Sequence, residues 1–160
     1  GNCILIFGDS GTGKTTATLR KALSGSRLMG DDTIMLDDQL NAFSFLKPLH
    51  LYQDSLKLLG LSTELGPVEK GKGEFTISEL PSSIEPYNGR AKIEKLYFLG
   101  LAGGSRKMES SEVFRKLLSY SMIPVGKEGV QAQVDLLKKI SSIPAVEISR
   151  EEFGEIDGFQ

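Results

Sequence analysis

The stretch that decides the fold is GDSGTGKT at residues 8–15, which fits the pattern Gly, four residues, Gly, Lys, Ser/Thr. This pattern forms a loop whose backbone amides surround nucleotide phosphates, because its glycines permit a tight turn. Lys14 can reach the β- and γ-phosphate oxygens, and Thr15 can hold Mg²⁺. The stretch therefore predicts a nucleotide-binding loop.

The sequence on both sides of the loop fits this prediction. Residues 3–7 are a continuous apolar run, typical of a strand buried on both faces of a parallel sheet. Residues 16–23 favour a helix that Gly25 can end, and its amino end would face the phosphates. We expect the nucleotide contacts to come from Gly8, Asp9, Ser10, Gly11, Thr12, Gly13, Lys14, Thr15 and Thr16.

Composition restricts the class of protein. The chain has 160 residues, which fits a single domain over residues 1–160, and a net charge of −2 that gives no reason to expect nucleic acid. No apolar run approaches the roughly 20 residues that span a bilayer, and no signal peptide is present, so we expect no membrane attachment. A single cysteine, Cys3, excludes an internal disulfide and favours a cytoplasmic setting, with Cys3 in the core. Because the first strand begins at residue 3, we also expect a fragment that lacks upstream strands.

Strands and helices alternate along the chain, which predicts an α/β fold with a mixed sheet and flanking helices. We expect strands at 27–30, 33–36, 74–78, 92–101 and 145–148, and helices at 54–59, from Ser110 or Ser111, and at 130–140. Residues 62–90 are rich in glycine and proline and predict loops around the 74–78 strand. The predicted packed faces of the last two helices comprise Val113, Phe114, Leu117, Leu118, Val130, Val134 and Leu137.

Phosphate transfer needs a second group beside the loop, and the best candidate is the pair Asp31 and Asp32. The predicted 27–30 strand can lie beside the nucleotide strand, which would bring both carboxylates to the sheet edge near Lys14 and Thr15. One carboxylate would bind metal-bound water while the other accepts the proton of an attacking hydroxyl. A solvated turn or a helix cap is the simpler structural alternative for this pair.

Residues 4–32, ILIFGDSGTGKTTATLRKALSGSRLMGDD, resemble the catalytic segment of the HPr kinase/phosphorylase family, bacterial enzymes that phosphorylate a serine hydroxyl on a protein or peptide. The likeness includes the GDSG start, the lysine followed by a hydroxyl residue, and an aspartate pair that begins 17 positions after Lys14. The family's aspartate pair supplies a catalytic base and a magnesium contact, so the resemblance implies these roles for Asp31 and Asp32. Family members are oligomers, which implies a homo-oligomer here.

The loop also resembles that of ATP-dependent phosphoenolpyruvate carboxykinase, which shares SGTGKTT and a Gly-Asp-Asp. The two families are similar in fold, so the resemblance implies a phosphoenolpyruvate carboxykinase-like, HPr kinase-like P-loop fold. The spacing to Asp31 favours the kinase.

The leading hypothesis is an ATP- and Mg²⁺-dependent kinase that transfers the γ-phosphate to a hydroxyl, most plausibly a serine of a protein or peptide. Lys14 and Asp31 would be catalytic, and Thr15 and Asp32 would hold magnesium. The alternatives are a regulatory module that binds ATP or ADP without turnover, and a carboxykinase-like or small-molecule phosphotransferase.

Four other positions have simpler interpretations. We expect a packed or surface side chain at His50, a solvated loop at Arg106-Lys107, a turn at Asp37-Asp38 and a surface ion pair of Arg150 with its acidic neighbours.

Overall fold

A long strand near the middle of the chain organises a six-stranded mixed sheet. The structure is a computed structural model, and it describes residues 1–62, 65, 71–100, 102–122, 124 and 126–156. The strands are β1 Asn2–Phe7, β2 Met35–Leu36, β3 Asn41–Phe43, β4 Leu49–Tyr52, β5 Lys72–Phe75, β6 Arg90–Leu99, β7 Ser105–Lys107 and β8 Ala145–Ile148. The helices are α1 Lys14–Leu23, α2 Gln53–Leu58, α3 Ser110–Tyr120, α4 Lys127–Ser141 and α5 Arg150–Glu155, with a 3₁₀ turn at Ile77–Glu79.

Strand β6 pairs with three neighbours. It runs parallel to β1 and β8 and antiparallel to β3. Strand β7 is antiparallel to β8, β2 is antiparallel to β3, and β4 and β5 form a separate antiparallel pair. The predicted α/β fold with a mixed sheet and flanking helices is confirmed.

The alternating side chains of β1 pack on both faces of the sheet, as its apolar run predicts. Leu5 belongs to a core cluster with Val113 of α3 and Leu137 of α4. Ile4 and Ile6 pack against a different cluster that contains Ala17 of α1 and Phe153 of α5. The sheet is therefore covered by α3 and α4 on one face and by α1 and α5 on the other, which explains why residues 3–7 of β1 are all apolar.

A further cluster joins α1 to the small sheet. Leu19 and Ala22 of α1 pack with Leu49 and Leu51 of β4 and with Phe75 of β5. The β4–β5 pair thus covers the side of α1 that the main sheet leaves open.

The predicted pairing of a 27–30 strand with β1 is wrong. Residues 27–30 form only isolated bridges, in which Leu28 pairs with Pro86 and Gly30 with Phe45, and β1 pairs with β6 within the described residues. A cavity of about 440 Å³ lies between β1, α1 and residues 25–31 instead. The amide and carbonyl of Leu28 bond instead to Glu85 and Tyr87, and the carbonyl of Met29 accepts from the amide of Phe45.

The start of α3 and the buried faces of α3 and α4 also differ from the prediction. Helix α3 begins after Glu109, whose side chain forms a capping box with Glu112, so neither predicted serine is the cap. Leu118 of α3 is 47% exposed, outside the buried face that Val113 and Leu117 form. Val130 is 42% exposed, because α4 buries only its last turns around Leu137. Helix α5 and strand β7 were not predicted. The predicted Gly66-Pro67 loop and the predicted strand end at Leu101 lie outside the described residues.

None of the helices in the described part of the chain has both the length and the apolar character needed to cross a membrane.

Candidate functional site

The predicted phosphate loop connects β1 to α1 at the carboxyl end of β1. A methyl group built on Gly8 would lie 2.9 Å from the carbonyl oxygen of Leu99 and 2.7 Å from Oγ1 of Thr12, so only glycine fits between the loop and β6. Gly13 has φ of 89° and precedes the first helical residue, Lys14. The first amides of a helix have no partner inside the helix, so those of α1 are available to an anion.

The carbonyl of Asp9 holds the loop in its folded shape. It accepts hydrogen bonds from the backbone nitrogen of Thr12 at 3.2 Å and from Oγ1 of Thr12 at 2.9 Å. It also accepts a hydrogen bond from Nζ of Lys14 at 2.9 Å. Lys14 therefore curls back over its own loop, where its ammonium group lies beside the amides that would face a phosphate.

The side chain of Asp9 is held by α3. Oη of Tyr120 donates a hydrogen bond to Oδ1 of Asp9 at 3.1 Å, and the Tyr120 ring stacks on Phe7 with centroids 5.9 Å apart. The loop is thus tied to the helix layer that covers the other face of the sheet.

The hydroxyl of Thr15 contacts the first aspartate of the acidic pair. Oγ1 of Thr15 donates to Asp31 at 3.1 Å from Oδ1 and 3.0 Å from Oδ2. This contact joins α1 to the segment after residue 30, although that segment is not a strand beside β1. The structure therefore places Asp31 beside Thr15 at the end of α1 that begins with Lys14.

The environment of Asp31 raises the pKa of its carboxyl. Burial raises the pKa of Asp31 above 3.8, the hydrogen bond from Thr15 lowers this pKa, and the charge of Asp32 raises it further. Asp32 itself is exposed at the surface. A carboxyl whose pKa lies closer to neutrality is better suited to accept a proton than an ordinary aspartate.

Thr16 differs from the other predicted nucleotide-binding residues. Its side chain is buried, and its Oγ1 donates a hydrogen bond to Oγ of Ser55 in α2 at 3.0 Å. The Thr16 hydroxyl therefore links α1 to α2. Only the backbone amide of Thr16 is left for the predicted contact with a nucleotide.

A group of ion pairs joins the edge strand β7 to β8 and α3. Glu147 of β8 binds Arg106 of β7 at 2.6 Å and Lys116 of α3 at 2.6 Å, and Arg106 also binds Glu112 at 3.1 Å. The hydrogen bond from Lys116, followed by that from Arg106, holds the pKa of Glu147 below its usual value. Arg106 and Lys107 are exposed, as predicted, but they lie in a strand and not in a loop, and Arg106 pairs with buried Glu147.

Arg150, at the start of α5, reaches the phosphate loop. A methyl group built on Gly13 would lie 2.8 Å from Cδ of Arg150 and 3.6 Å from Nη1. The predicted ion pair of Arg150 with Glu151 exists at 3.6 Å, but the contact of Arg150 with Gly13 was missed.

The spacing of Ser149 and Glu152 could have revealed α5, since a serine three residues before a glutamate is typical of a helix start. Ser149 does accept a hydrogen bond from the Glu152 amide at 3.2 Å.

The other predicted positions lie outside this site. His50 is exposed on β4, opposite Glu74 of β5. Asp37 forms the predicted turn, with its carboxylate accepting from the amides of Gln39 and Asn41 at 3.0 and 2.9 Å. Cys3 is half-buried, and burial raises the pKa of its thiol to about 11, which fits a packed and unreactive group.

No group of three or more His, Cys, Asp or Glu side chains that could hold a metal occurs in residues 1–156 apart from the positions left undescribed. Magnesium does not require such a group, because it is usually held by one or two carboxylates together with substrate phosphates. The oxygen atoms of Thr15 and Asp31 are of the chemical type that Mg²⁺ prefers. The 440 Å³ cavity includes Asp31 but no residue of 8–15, so it is separate from the loop.

No protein-family model, curated protein or solved structure matches this chain.

Proposed function

We propose that this protein is an ATP- and Mg²⁺-dependent kinase with a P-loop fold of the HPr kinase-like type, acting on the hydroxyl group of a serine in a protein or peptide. The main support is the contact between Thr15 and Asp31, whose atoms lie 3.0 Å apart at the amino end of α1. A loop that only captured an anion would not need a half-buried carboxylate at this place.

Each residue of the site has a task in this proposal. The loop amides and Lys14 bind the β- and γ-phosphates and stabilise the charge that develops on them. Asp31 accepts the proton of the acceptor hydroxyl, a task for which burial has raised its pKa.

Thr15 and Asp32 would hold the magnesium ion, while Asp31 stays available as the base. When bound there, magnesium neutralises negative charge on the phosphates. Asp32 is exposed and free of the hydrogen bond that Thr15 gives to Asp31 in the structure, so its carboxylate can turn toward a cation.

The test compares Asp31→Asn with Asp38→Asn, a matched change at an exposed aspartate of the other acidic pair. Each variant is incubated with γ-labelled ATP, Mg²⁺ and a serine-containing peptide library, and the affinity for Mg·ATP is measured separately by calorimetry. We expect Asp31→Asn to lose transfer by a factor of about 10² to 10⁴, the range for general base catalysis, with affinity unchanged. Asp38→Asn should retain both properties.

Unchanged transfer in Asp31→Asn would remove the base role of Asp31. A wild-type protein that binds Mg·ATP without labelling any acceptor would contradict the kinase proposal and support a nucleotide-binding regulatory module instead. Turnover on metabolites but not on polypeptides would point to small-molecule phosphotransfer.

A further inference from the structure

The side chain of Arg150 lies across the phosphate loop at Gly13. The distances from Gly13 to the Arg150 stem leave no space for a methyl group, and Gly13 is the residue directly before Lys14. The guanidinium of Arg150 therefore lies at the same end of α1 as the ammonium group of Lys14.

The packing of α5 fixes this position. Phe153, one helical turn after Arg150, is 0% exposed and makes an edge contact with Tyr97 at 4.9 Å between ring centroids. Ser149 is 1% exposed, and its amide donates to the carbonyl of Gly104 at 3.0 Å. Because residues three apart lie on one face of a helix, burying Phe153 directs Arg150 toward α1.

The charged end of Arg150 is only weakly engaged. Its ion pair with Glu151 spans 3.6 Å, and the two side chains are 52% and 71% exposed. Exposed pairs of this kind contribute little, so the guanidinium can turn toward a ligand at small cost. The nearby cations Arg106 and Lys116, in contrast, each lie 2.6 Å from Glu147.

We infer that Arg150 is a second phosphate-binding cation of this site, which contacts the β- or γ-phosphate of the bound nucleotide together with Lys14. The planar guanidinium can donate two parallel hydrogen bonds to phosphate oxygens, whereas the ammonium group of Lys14 acts as a point charge. This inference rests on the proposed function, because it adds a residue to the same nucleotide site.

The experiment measures the affinity of Mg·ATP and Mg·ADP by calorimetry for the wild type, Arg150→Gln and Arg150→Met. Arg115→Gln is the matched control, since Arg115 is an exposed arginine of α3 that donates to the carbonyl of Ser111. Loss of one charge-assisted hydrogen bond should weaken Mg·ATP binding by about tenfold or more in both Arg150 variants. Arg115→Gln should stay within about twofold of the wild type.

The two nucleotides show which phosphate is bound. A loss for Mg·ATP alone assigns the guanidinium to the γ-phosphate, and equal losses for both nucleotides assign it to the β-phosphate. Arg150→Met keeps an unbranched stem against Gly13. If circular dichroism shows that Arg150→Gln impairs folding, the Mg·ATP affinity of Arg150→Met decides the test.

Binding of Mg·ATP by a folded Arg150→Met within about twofold of the wild type would overturn the inference while leaving the proposed function intact. A wild type that binds no Mg·ATP would instead overturn both, so the two failures can be told apart.

Discussion

The contact between Thr15 and Asp31 can be tested without any nucleotide, by replacing Thr15 with valine. Valine has nearly the shape of threonine but no hydroxyl, so Asp31 loses the donor that lies 3.0 and 3.1 Å from its two oxygens. Thr12→Val is the matched control. The Thr12 hydroxyl also donates a hydrogen bond within the loop, at 2.9 Å, but its acceptor is the uncharged carbonyl of Asp9.

The size of the effect follows from the geometry. One hydroxyl hydrogen is shared between two carboxylate oxygens, so it counts as a single hydrogen bond to a charged group, worth about 1.5–3 kcal/mol. Both side chains are half-buried, and water can replace part of the lost interaction. We therefore expect Thr15→Val to lower the free energy of unfolding by about 1.5 kcal/mol at pH 7, a fall in Tm of roughly 3–6 °C for a chain of this size.

The effect should depend on pH in a defined direction. The Thr15 hydrogen bond lowers a pKa that burial has raised above 3.8, so it stabilises the ionised form of Asp31. Because the folded-state pKa is raised, Asp31 is fully ionised only at a pH well above 3.8. In that pH range Thr15→Val shows its full decrease in the free energy of unfolding. The loss should shrink as the pH falls through the pKa of folded Asp31.

Urea unfolding of the wild type, Thr15→Val and Thr12→Val at about pH 7 and about pH 4 measures this difference. The Thr12→Val loss should be the same at both pH values, and Asp31→Asn should abolish the pH dependence of Thr15→Val. If the Thr15→Val loss were equal at both pH values in the wild-type background, the hydroxyl would not contact an ionised Asp31.

Three further changes test the surroundings of the site. Phe153→Ala should lower the free energy of unfolding, measured in urea, by about 3–5 kcal/mol, because a fully buried ring that holds α5 is lost. A decrease under about 1 kcal/mol would refute this packing. Glu147→Gln should cost about 1–2 kcal/mol at pH 7, measured by thermal unfolding. Since the pKa of folded Glu147 is lowered, that cost should vanish as the pH falls through this pKa, and a constant cost would exclude the ion pairs. Gly13→Ala should destabilise the chain by about 1 kcal/mol more than Gly11→Ala, because both residues have positive φ but only Gly13 faces Arg150, and equal values would contradict that contact.

The part of the site that is local in sequence could be predicted. The apolar run of β1, the loop pattern and the helix α1 each depend on neighbouring residues, and the structure has all three in the expected order. The turn at Asp37 was predictable for the same reason, because its carboxylate bonds to amides two and four positions later.

The rest depends on residues far apart in the chain. Residues 27–30 have the composition of a strand, but their partners are Pro86 and Phe45, which no local pattern identifies. Arg106 looks like a loop residue until β8 brings Glu147 beside it. Val130 has helical spacing, yet α4 is buried only at its other end. Arg150 was missed because its neighbour Gly13 lies at the opposite end of the sequence.

The pairing of β1 with β6 has a consequence for how the protein is made. Asn2 pairs with Lys92 and Phe7 with Phe98, about ninety positions later. During synthesis β1 must wait for β6 to leave the ribosome, which takes roughly 5–20 s at ordinary elongation rates of about 5–20 residues per second. Contacts this distant also make the search for the native topology slow. The apolar residues of β1 are therefore exposed to chaperones and to aggregation for longer than any other strand of the sheet.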